Sequence, residues 1–377
     1  MERFSVKTAN GAPSSSTTAN SLVDLFFKTV QGTDKKIVDS LWKEAWNHDK
    51  EKAMRILLHT RDCRDGKGIK DITTEMLVEV LPNLNENQIV TLLTALPEFG
   101  YWKDLMVLLE AVCKERKLTD KKKIREEFLF RAIIKVIANQ LQEDWMKSFS
   151  EDEKITGCAK WAPTPKSSYD KRLGVCEPLA VELVNKIPGV NPKMYRSNYT
   201  NVLKKLREKL NVTERKMCAG EWEDIKFETM PGICMKTHTK AWNNHCQERY
   251  MEYLQNVKKG VAKMNVGRLY PGDIIKTYMM NYDMPISKDV EVCETTEAAW
   301  KAKVAELKEK NIFGEKRLCC ICDVSASMYG KPLQHAVALT AVIAEASPEK
   351  SMAKGFFTFS DTPEYVKMKE DGTVLEK

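Results

Sequence analysis

The sequence predicts a mainly α-helical chain, with a helical-repeat solenoid of the HEAT type followed by a short α/β part of the Rossmann-like, doubly wound type. Two observations support this. From residue 21 to about residue 310, apolar residues recur at helical spacing in blocks joined by short turns. From Arg317 onward the pattern changes to short apolar runs that flank one long helical block. Residues 1–20 are rich in Ser and Thr, and we expect them to be disordered.

The helical part, residues 21–312, is expected to begin at Ser21, a candidate N-cap. The segment Asn85–Gln88 has the pattern of a helix start, because a capping side chain precedes an apolar run. Sequence similarity at a fixed period is weak, so the solenoid is indicated without a regular repeat. Further helices are predicted at about 36–57, 70–81, 86–97, 101–115, 121–146, 169–186, 193–210, 236–257 and 294–310; no clear strand is expected before Arg317.

The α/β part, residues 313–377, begins with an apolar run at Leu318–Cys322, which predicts a buried strand. A helix is expected over 333–346, a second strand over 353–361 with Phe356, Phe357 and Phe359 in the core, and a third over 364–369. The first strand leads directly into Asp323, Ser325 and Ser327. Sites in doubly wound folds lie at the carboxyl ends of strands, and one carboxylate with two hydroxyls suits Mg²⁺, Mn²⁺ or Ca²⁺. The alternative is a serine-rich turn that binds nothing.

This Asp-x-Ser-x-Ser pattern resembles the first part of the metal-ion-dependent adhesion site of von Willebrand factor A domains. The resemblance implies a metal site at Asp323, Ser325 and Ser327, together with a threonine and a further acidic residue from later loops. Residues 313–377 correspond to about one third of such a domain. We therefore expect an incomplete domain that binds Mg²⁺ weakly, with the remainder supplied by another protein, lost or left out.

Composition excludes several classes of protein. The chain has 377 residues, 43% of them hydrophobic, and no apolar run approaches the roughly 20 residues of a membrane span. No signal sequence opens the chain, and its eleven cysteines are scattered, apart from Cys319, Cys320 and Cys322, which lie together on the predicted buried strand and are interpreted as small apolar residues. Free thiols in a reducing, cytoplasmic environment are expected. The five histidines form no metal-spaced pair, and no nucleophile elbow or nucleotide loop is present, so we expect no enzyme.

Three basic stretches are candidates for RNA binding. The loop 61–68 alternates cations and aspartates around two glycines; it either contacts phosphate or is a structural turn in which Asp–Arg pairs join two helices. The stretch 159–172 interleaves cations with Trp161 and prolines, which suits base stacking or simply core packing. Segment 196–268 carries 15 Lys or Arg and 8 Asp or Glu. The candidate residues are Arg61, Arg64, Lys67, Lys160, Lys166, Lys204, Lys205, Arg207, Lys209, Arg215 and Lys216.

Four motifs extend the resemblance over about residues 25–377: they begin at Leu96 (LPEFGYWKDL), Lys160 (KWAPTP), Val212 (VTERKMC) and Met264 (MNVGRLYPG). The chain resembles a family of plants and large DNA viruses that joins a TROVE-like helical module to a von Willebrand A domain. The Ro autoantigen has a similar architecture, and the analogy implies a non-enzymatic scaffold for small or misfolded RNA. The alternatives are a protein-interaction scaffold, whose metal loop takes an acidic side chain from a partner, and an inactive fragment.

Overall fold

A computed structural model describes residues 5–7, 13–188, 191–279, 291–314, 318–348, 354–369 and 372–376. These residues form nineteen α-helices and five short strands, which confirms the prediction of a mainly helical chain. The chain divides into two compact units, Met1–Val212 and Thr213–Lys377, which are described separately. All eleven cysteines are free thiols. No described helix is both long enough and apolar enough to cross a membrane.

The first unit is helical apart from one pair of short strands, β1 (Ser5–Lys7) and β2 (Pro13–Ser15), which are antiparallel. Its helices are α1 (Ser21–Lys28), α2 (Lys35–His48), α3 (Lys50–Arg61), α4 (Asp71–Val80), α5 (Glu86–Phe99), α6 (Lys103–Glu115), α7 (Lys121–Glu126), α8 (Phe128–Lys147), α9 (Cys158–Trp161), α10 (Ser168–Leu173), α11 (Cys176–Val184) and α12 (Tyr195–Lys209). Helix α8 is central, because it packs against α5, α6, α7, α9, α11 and α12.

Capping side chains define where several helices begin. Asn85 Oδ1 accepts a hydrogen bond from Gln88 N at 2.9 Å, and Gln88 Oε1 accepts one from Asn85 N at 3.0 Å, which confirms the predicted start of α5. The prediction for α1 is wrong by one residue. Asn20, not Ser21, is the N-cap, because its side chain accepts hydrogen bonds from the N–H groups of Leu22 and Val23.

Four helices predicted as continuous are interrupted. The segment 36–57 divides at Asp49, whose extended backbone ends α2 and whose carboxylate accepts the N–H of Lys52 at 3.0 Å to start α3. The segment 121–146 divides at Glu127, which is also extended. The segment 169–186 divides at Gly174, whose left-handed backbone ends α10 before α11 begins at Cys176. Apolar spacing does not detect such interruptions, since both sides of the break keep one buried face. At Asp49 the short acidic side chain offers the backbone a competing local hydrogen bond.

The second unit combines helices with a three-stranded sheet. Its elements are α13 (Thr213–Ala219), α14 (Gly232–Thr237), α15 (Thr239–His245), α16 (Gln247–Lys258), α17 (Pro271–Ile275), α18 (Glu294–Glu309), β3 (Cys320–Asp323), α19 (Lys331–Ala346), β4 (Gly355–Phe359) and β5 (Tyr365–Lys367). Thus 236–257, the fourth interrupted segment, forms parts of three helices. Strand β4 pairs in parallel with β3, Cys320 opposite Phe356, and antiparallel with β5. Helix α19 connects β3 to β4, as the sequence predicts.

Helix α19 is buried from two sides within this unit. Ala338, Val342 and Ala346 join a helical core that includes Trp242 and Trp300. Ala344 packs against the sheet, in a smaller cluster with Cys322, Phe356 and Met368. The helix therefore fixes the position of the sheet against the helices of its own unit.

The other face of the sheet is exposed, which corrects two predictions. The strand predicted to be buried has Cys322 inside but Ile321 68% exposed. Of the three phenylalanines expected in the core, Phe356 is buried, Phe357 is partly exposed and Phe359 is 59% exposed. The cause is the alternation of side chains along a strand, because α19 covers only one face of the sheet.

Two predictions about domain limits remain. Disorder was expected for residues 1–20, where the structure describes β1, β2 and the turn before α1, while residues 1–4 and 8–12 lie outside the described residues. The strand pair shows that a strand does precede Arg317. The predicted domain boundary lies between residues 312 and 313, where the sequence pattern changes. The division of the chain into compact units lies between residues 212 and 213 instead.

Candidate functional site

Arg61, proposed as a phosphate ligand, lies in the core of the first unit. Its Nη2 is 2.6 Å and its Nε 2.8 Å from Asp104 Oδ2, and both residues are buried. The same carboxylate oxygen accepts the N–H of Tyr101 at 2.9 Å. The pair joins the end of α3 to the start of α6. This geometry matches the structural alternative, an Asp–Arg pair between two helices, and it corrects the prediction that Arg61 is available to a ligand.

The remaining cations of the loop 61–68 bind carbonyl groups at helix ends. Lys67 Nζ donates to the carbonyls of Phe26 and Thr29 at the end of α1, the latter at 2.8 Å, and burial lowers the pKa of its ammonium group. Arg64 Nη1 donates to the carbonyl of Glu98 near the end of α5. The carbonyls at helix C-termini lack partners within the helix and attract cations. The loop therefore connects helices.

The four cations proposed on α12 differ in their availability. Arg207 donates from Nε to the carbonyl of Ala159 at 2.8 Å and from Nη2 to that of Ala162 at 2.9 Å, and burial lowers the pKa of its guanidinium. Lys209 donates to carbonyls at the end of α8, including that of Lys147 at 3.1 Å. Lys204 is exposed. The expected basic face of α12 is thus partly used for packing.

Lys205, the fourth of these cations, is exposed and lies against aromatic rings. Its Nζ lies 3.8 Å from the ring centre of Phe149 and 4.7 Å from that of Trp145. An ammonium over an aromatic face is attracted to it, so this cation also has an intramolecular role. Arg215 and Lys216 lie on α13 in the second unit, where Lys216 Nζ donates to the carbonyl of Asp224 at 2.5 Å. Segment 196–268 is therefore shared between the units.

Two motifs from distant parts of the sequence come together in the first unit. Tyr101, between α5 and α6, and Trp161, at the end of α9, have ring centres 6.2 Å apart. The Nζ atoms of Lys103 and Lys160 each lie 5.5 Å from the Trp161 ring centre. Tyr101 is 38% exposed, and Trp161 is partly exposed. We call these four residues the aromatic–lysine site.

The loop that carries Trp161 is held by α12. Arg207 binds the carbonyls of Ala159 and Ala162, on either side of the tryptophan, and Tyr199 Oη donates to the carbonyl of Pro163 at 2.6 Å. Tyr199 is completely buried, and burial raises the pKa of its phenol. On the other side of the site, the Arg61 guanidinium lies 5.4 Å from the centre of the Tyr101 ring. Hydrogen bonds from Arg207 and Tyr199 thus fix the backbone around Trp161, and the buried Arg61 lies beside the Tyr101 ring.

Sequence reasoning identified Lys160 and Trp161 but missed Tyr101 and Lys103 as site residues. Both residues belong to the LPEFGYWKDL motif, which indicated a family resemblance but no binding site. The signal that would have found them is the same in both motifs, a lysine adjacent to or near an aromatic residue. Lys166, the other predicted cation of the loop, is exposed and does not reach this site in any described contact.

The oxygen-rich loop lies at the carboxyl end of β3, in the second unit. Asp323 accepts the N–H of Ser325 at 3.0 Å, and hydrogen bonds from Ser325 lower the pKa of its carboxyl. The Oγ atoms of Ser325 and Ser327 are 3.1 Å apart. Neighbouring ligands of Mg²⁺, each about 2.1 Å from the ion, are about 3.0 Å apart in an octahedron. The spacing of the two hydroxyls is therefore compatible with neighbouring positions around such an ion, and magnesium binding at this loop stays a prediction.

In the part of the chain that the structure describes, no group of three or more His, Cys, Asp or Glu side chains could hold a metal ion. His245 stacks on Trp222 with ring centres 4.1 Å apart, and His238 lies 5.8 Å from Trp242. His59 stacks on Phe26 at 5.4 Å. These three histidines thus have packing roles.

Comparison with known proteins finds two family models. The model described as "Domain of unknown function (DUF2828)" matches residues 8–127 and 115–313, and the model described as "Domain of unknown function (DUF7788)" matches residues 318–377. A curated relative, "Uncharacterized protein L728" of Acanthamoeba polyphaga mimivirus, is 28% identical over 361 residues. The match covers 90% of this chain but 59% of the relative, so the chain spans less than two thirds of the relative's length. No solved structure matches.

Proposed function

The chain belongs to the DUF2828 family, and we propose that it is a non-enzymatic scaffold that binds RNA through the aromatic–lysine site. The observation that carries this proposal is the pairing of Tyr101 with Trp161, together with the ammonium groups of Lys103 and Lys160 near the Trp161 ring. Proteins bind single-stranded nucleic acid by stacking bases on aromatic rings while cations contact the backbone. The substrate class is therefore single-stranded RNA or the unpaired ends of small or misfolded RNA.

The preorganisation of the site supports the same proposal. Arg207 and Tyr199 bind three carbonyls of the loop around Trp161, so the indole is held in place before a ligand arrives. Binding to a rigid ring costs less conformational entropy than binding to a mobile one. The cations Lys204 and Lys205 are exposed on α12 of the same unit and supply further positive charge for a phosphate backbone.

The proposed architecture is a HEAT-like helical module followed by a von Willebrand A-like part, as in Ro. Packing of sequence neighbours supports the first half, since α2 packs on α1 and α3, α5 on α6, and α11 on α12. The second half is supported by β3–α19–β4, a strand–helix–strand unit with parallel strands and an oxygen-rich loop after its first strand. The cytoplasm is the proposed location.

RNA binding is tested by fluorescence anisotropy with a labelled single-stranded RNA at several salt concentrations. A stacked base contributes about 1–3 kcal/mol, so Trp161→Ala is expected to weaken binding about tenfold or more. The double variant Lys103→Gln/Lys160→Gln is expected to weaken binding and to reduce the slope of log K against log salt by about 1.4, since each phosphate contact contributes about 0.7.

Helix α2 offers a matched control on the same unit. Trp46 is partly exposed and carries Lys50 Nζ at 5.7 Å from its ring centre, which reproduces the chemistry of a lysine over a tryptophan. Trp46→Ala/Lys50→Gln is expected to leave RNA affinity and salt dependence unchanged. Equal losses in the control and in the Trp161 variants, or no RNA binding at low salt, would contradict the proposal.

A second candidate function is a protein-interaction scaffold, favoured by the exposed sheet face and the oxygen-rich loop. Ile321 and Phe359 are largely exposed on the strands whose carboxyl ends carry Asp323 and Asp361. In this function a partner protein supplies an acidic side chain to a Mg²⁺ ion held by Asp323, Ser325 and Ser327. It predicts that a carboxylate ligand strengthens Mg²⁺ binding.

A further inference from the structure

A cleft in the first unit lies apart from the aromatic–lysine site and has a volume of about 380 Å³. Its walls come from α7, the turn before α10, α11 and α12. Four cations and two carboxylates line it: Lys121, Arg125, Lys166, Arg196, Asp170 and Glu177. The formal charge of this lining is +2, since two of the four cations are balanced.

Both carboxylates are already occupied by groups of the protein. Asp170 accepts the N–H groups of Lys166 at 2.9 Å and Cys176 at 3.0 Å. Burial alone would raise the pKa of Asp170, but these hydrogen bonds and the charge of Lys121 lower it overall, so the group stays ionised. Asp170 consequently orders the turn that presents Lys166 and is not itself free to bind a cation.

Glu177 plays a comparable part on the other wall. Its carboxylate accepts the Tyr195 hydroxyl at 3.0 Å, and its oxygens lie 3.2 Å from Arg125 Nη2 and 3.4 Å from Arg196 Nη2. These bonds, led by that from Tyr195, lower the pKa of Glu177. One carboxylate thus positions two guanidinium groups at the cleft without using all of their donors.

Several donors around the cleft have no acceptor among the described residues. Arg125 Nε is buried without a hydrogen bond, and its contacts to Glu177 and to the carbonyl of Gly174 both use Nη2. The Nζ atoms of Lys121 and Lys166 make no hydrogen bond to any part of the chain that the structure describes. Gly174 lies against the stem of Lys121, because a β-carbon there would be 3.1 Å from the Lys121 side chain. Cations with unused donors that line a concave surface favour an anionic ligand.

We propose that this cleft binds a phosphate monoester. Such a group carries a charge of about −1.5 to −2 at pH 7 and three acceptor oxygens, which complements a lining of charge +2 with unused Arg and Lys donors. The volume lies in the range of about 300–1,000 Å³ typical of small-molecule sites, so it admits more than the phosphate itself. A nucleoside monophosphate is the natural probe.

The phosphate monoester has two possible sources, a free nucleotide or the terminal phosphate of an RNA. Lys166 follows Trp161 by five residues, so at about 3.6 Å per residue the two lie within about 18 Å. An RNA strand stacked on Trp161 would then bring its end to the cleft; this second source rests on the proposed function, whereas the first does not.

The test compares AMP with adenosine by isothermal titration calorimetry on the full chain. We expect AMP to bind and adenosine to bind at least about tenfold more weakly, since only AMP carries the anion. Lys121→Gln/Lys166→Gln is expected to weaken AMP binding about tenfold. The matched control, Lys122→Gln/Lys123→Gln, removes the same charge from the exposed face of α7 and is expected to leave AMP binding unchanged. Equal binding of AMP and adenosine, no AMP binding, or equal losses in both double variants would overturn the proposal, provided that thermal unfolding shows both variants folded.

A second arm identifies the source by comparing 5′-phosphorylated with 5′-hydroxyl single-stranded RNA. Tighter binding of the phosphorylated RNA, lost in Lys121→Gln/Lys166→Gln, supports the RNA end as the ligand. Equal binding of the two RNAs, together with specific AMP binding, supports the free nucleotide. Absence of all RNA binding would refute the proposed function. It would not refute phosphate binding in the cleft, which the AMP titrations test separately.

Discussion

Gly100 and Asp104 lie so close together that a β-carbon at position 100 would be 2.1 Å from Oδ2 of Asp104. That oxygen is the one paired with Arg61. The absence of a side chain at Gly100 therefore makes room for the ion pair between α3 and α6. The pair is buried, so a change that displaces one partner leaves the other charge with neither its partner nor water around it. Such an uncompensated charge lowers the stability of the fold.

We predict that Gly100→Ala destabilises the protein by about 3 kcal/mol or more, because the methyl group displaces the Asp104 carboxylate and leaves Arg61 without its partner. Chemical denaturation with far-ultraviolet circular dichroism measures this. Gly157→Ala is the control, since no atom lies within 4 Å of a β-carbon there. Its effect is expected to be within about 0.5 kcal/mol of zero, and similar effects of the two substitutions would contradict the role of Gly100.

The second prediction concerns Arg207, which sequence analysis placed on an RNA-binding surface. Arg207→Gln is expected to lower the free energy of unfolding by about 2–3 kcal/mol, because two carbonyls of the Trp161 loop lose charged donors. Lys204→Gln, which removes the same charge from an exposed position on the same helix, is expected to change stability by less than about 0.5 kcal/mol. Thermal and urea unfolding of both variants check this.

RNA affinity separates the two roles further. Lys204→Gln is expected to weaken RNA binding slightly and to reduce its salt dependence, as for a single phosphate contact. Arg207→Gln is expected to weaken binding at all salt concentrations, since it releases the loop that presents Trp161. If Arg207→Gln is as stable as the wild type and only the salt dependence of its RNA binding is reduced, then Arg207 contacts RNA directly, as the sequence predicted.

These two sites show why the fold was easier to predict than the functional residues. Helices and the β3–α19–β4 unit follow from apolar spacing, which directly reports what is buried. Arg61, Lys67 and Arg207 look like surface cations in sequence, because no local pattern reveals that their partners are Asp104, Phe26 and Ala159 in other elements. The same limit hid Tyr101, whose neighbour Trp161 belongs to a different motif.

The third prediction concerns pH. Asp144 is completely buried and accepts hydrogen bonds from Thr156 N at 3.0 Å, Thr156 Oγ1 at 2.7 Å and Gln140 Nε2 at 3.2 Å. Burial outweighs these bonds and raises the pKa of its carboxyl. A carboxyl whose pKa is higher in the folded state contributes most stability below its unfolded value of 3.8 and loses that contribution as pH rises through its folded value.

The stability difference between the wild type and Asp144→Asn isolates this group. Asparagine does not ionise, so the wild type is expected to lose stability relative to the variant as the pH rises from 4 to 8. Urea unfolding at several pH values measures the difference. If the stability difference is constant, or if the wild type gains stability relative to the variant as the pH rises, then the pKa of Asp144 is not raised in the folded protein.

The last prediction concerns the oxygen-rich loop at the carboxyl end of β3. Asp323, Ser325 and Ser327 supply one negative charge and two neutral oxygens, with hydroxyls spaced for neighbouring positions around Mg²⁺. Affinity for a hard cation rises with the charge and number of its oxygen ligands, so this set is expected to bind Mg²⁺ weakly, with a Kd of about 1 mM. Isothermal titration should detect the binding in the full chain and its loss in Asp323→Ala.

Asp361→Asn, which removes an exposed carboxylate after the neighbouring strand, is the control and should leave the affinity unchanged. Acetate added with Mg²⁺ should strengthen binding if the loop takes a carboxylate from a partner protein. Micromolar affinity lost in Asp323→Ala would mean that the site already has its full ligand set, and equal losses in both variants would place the ion elsewhere.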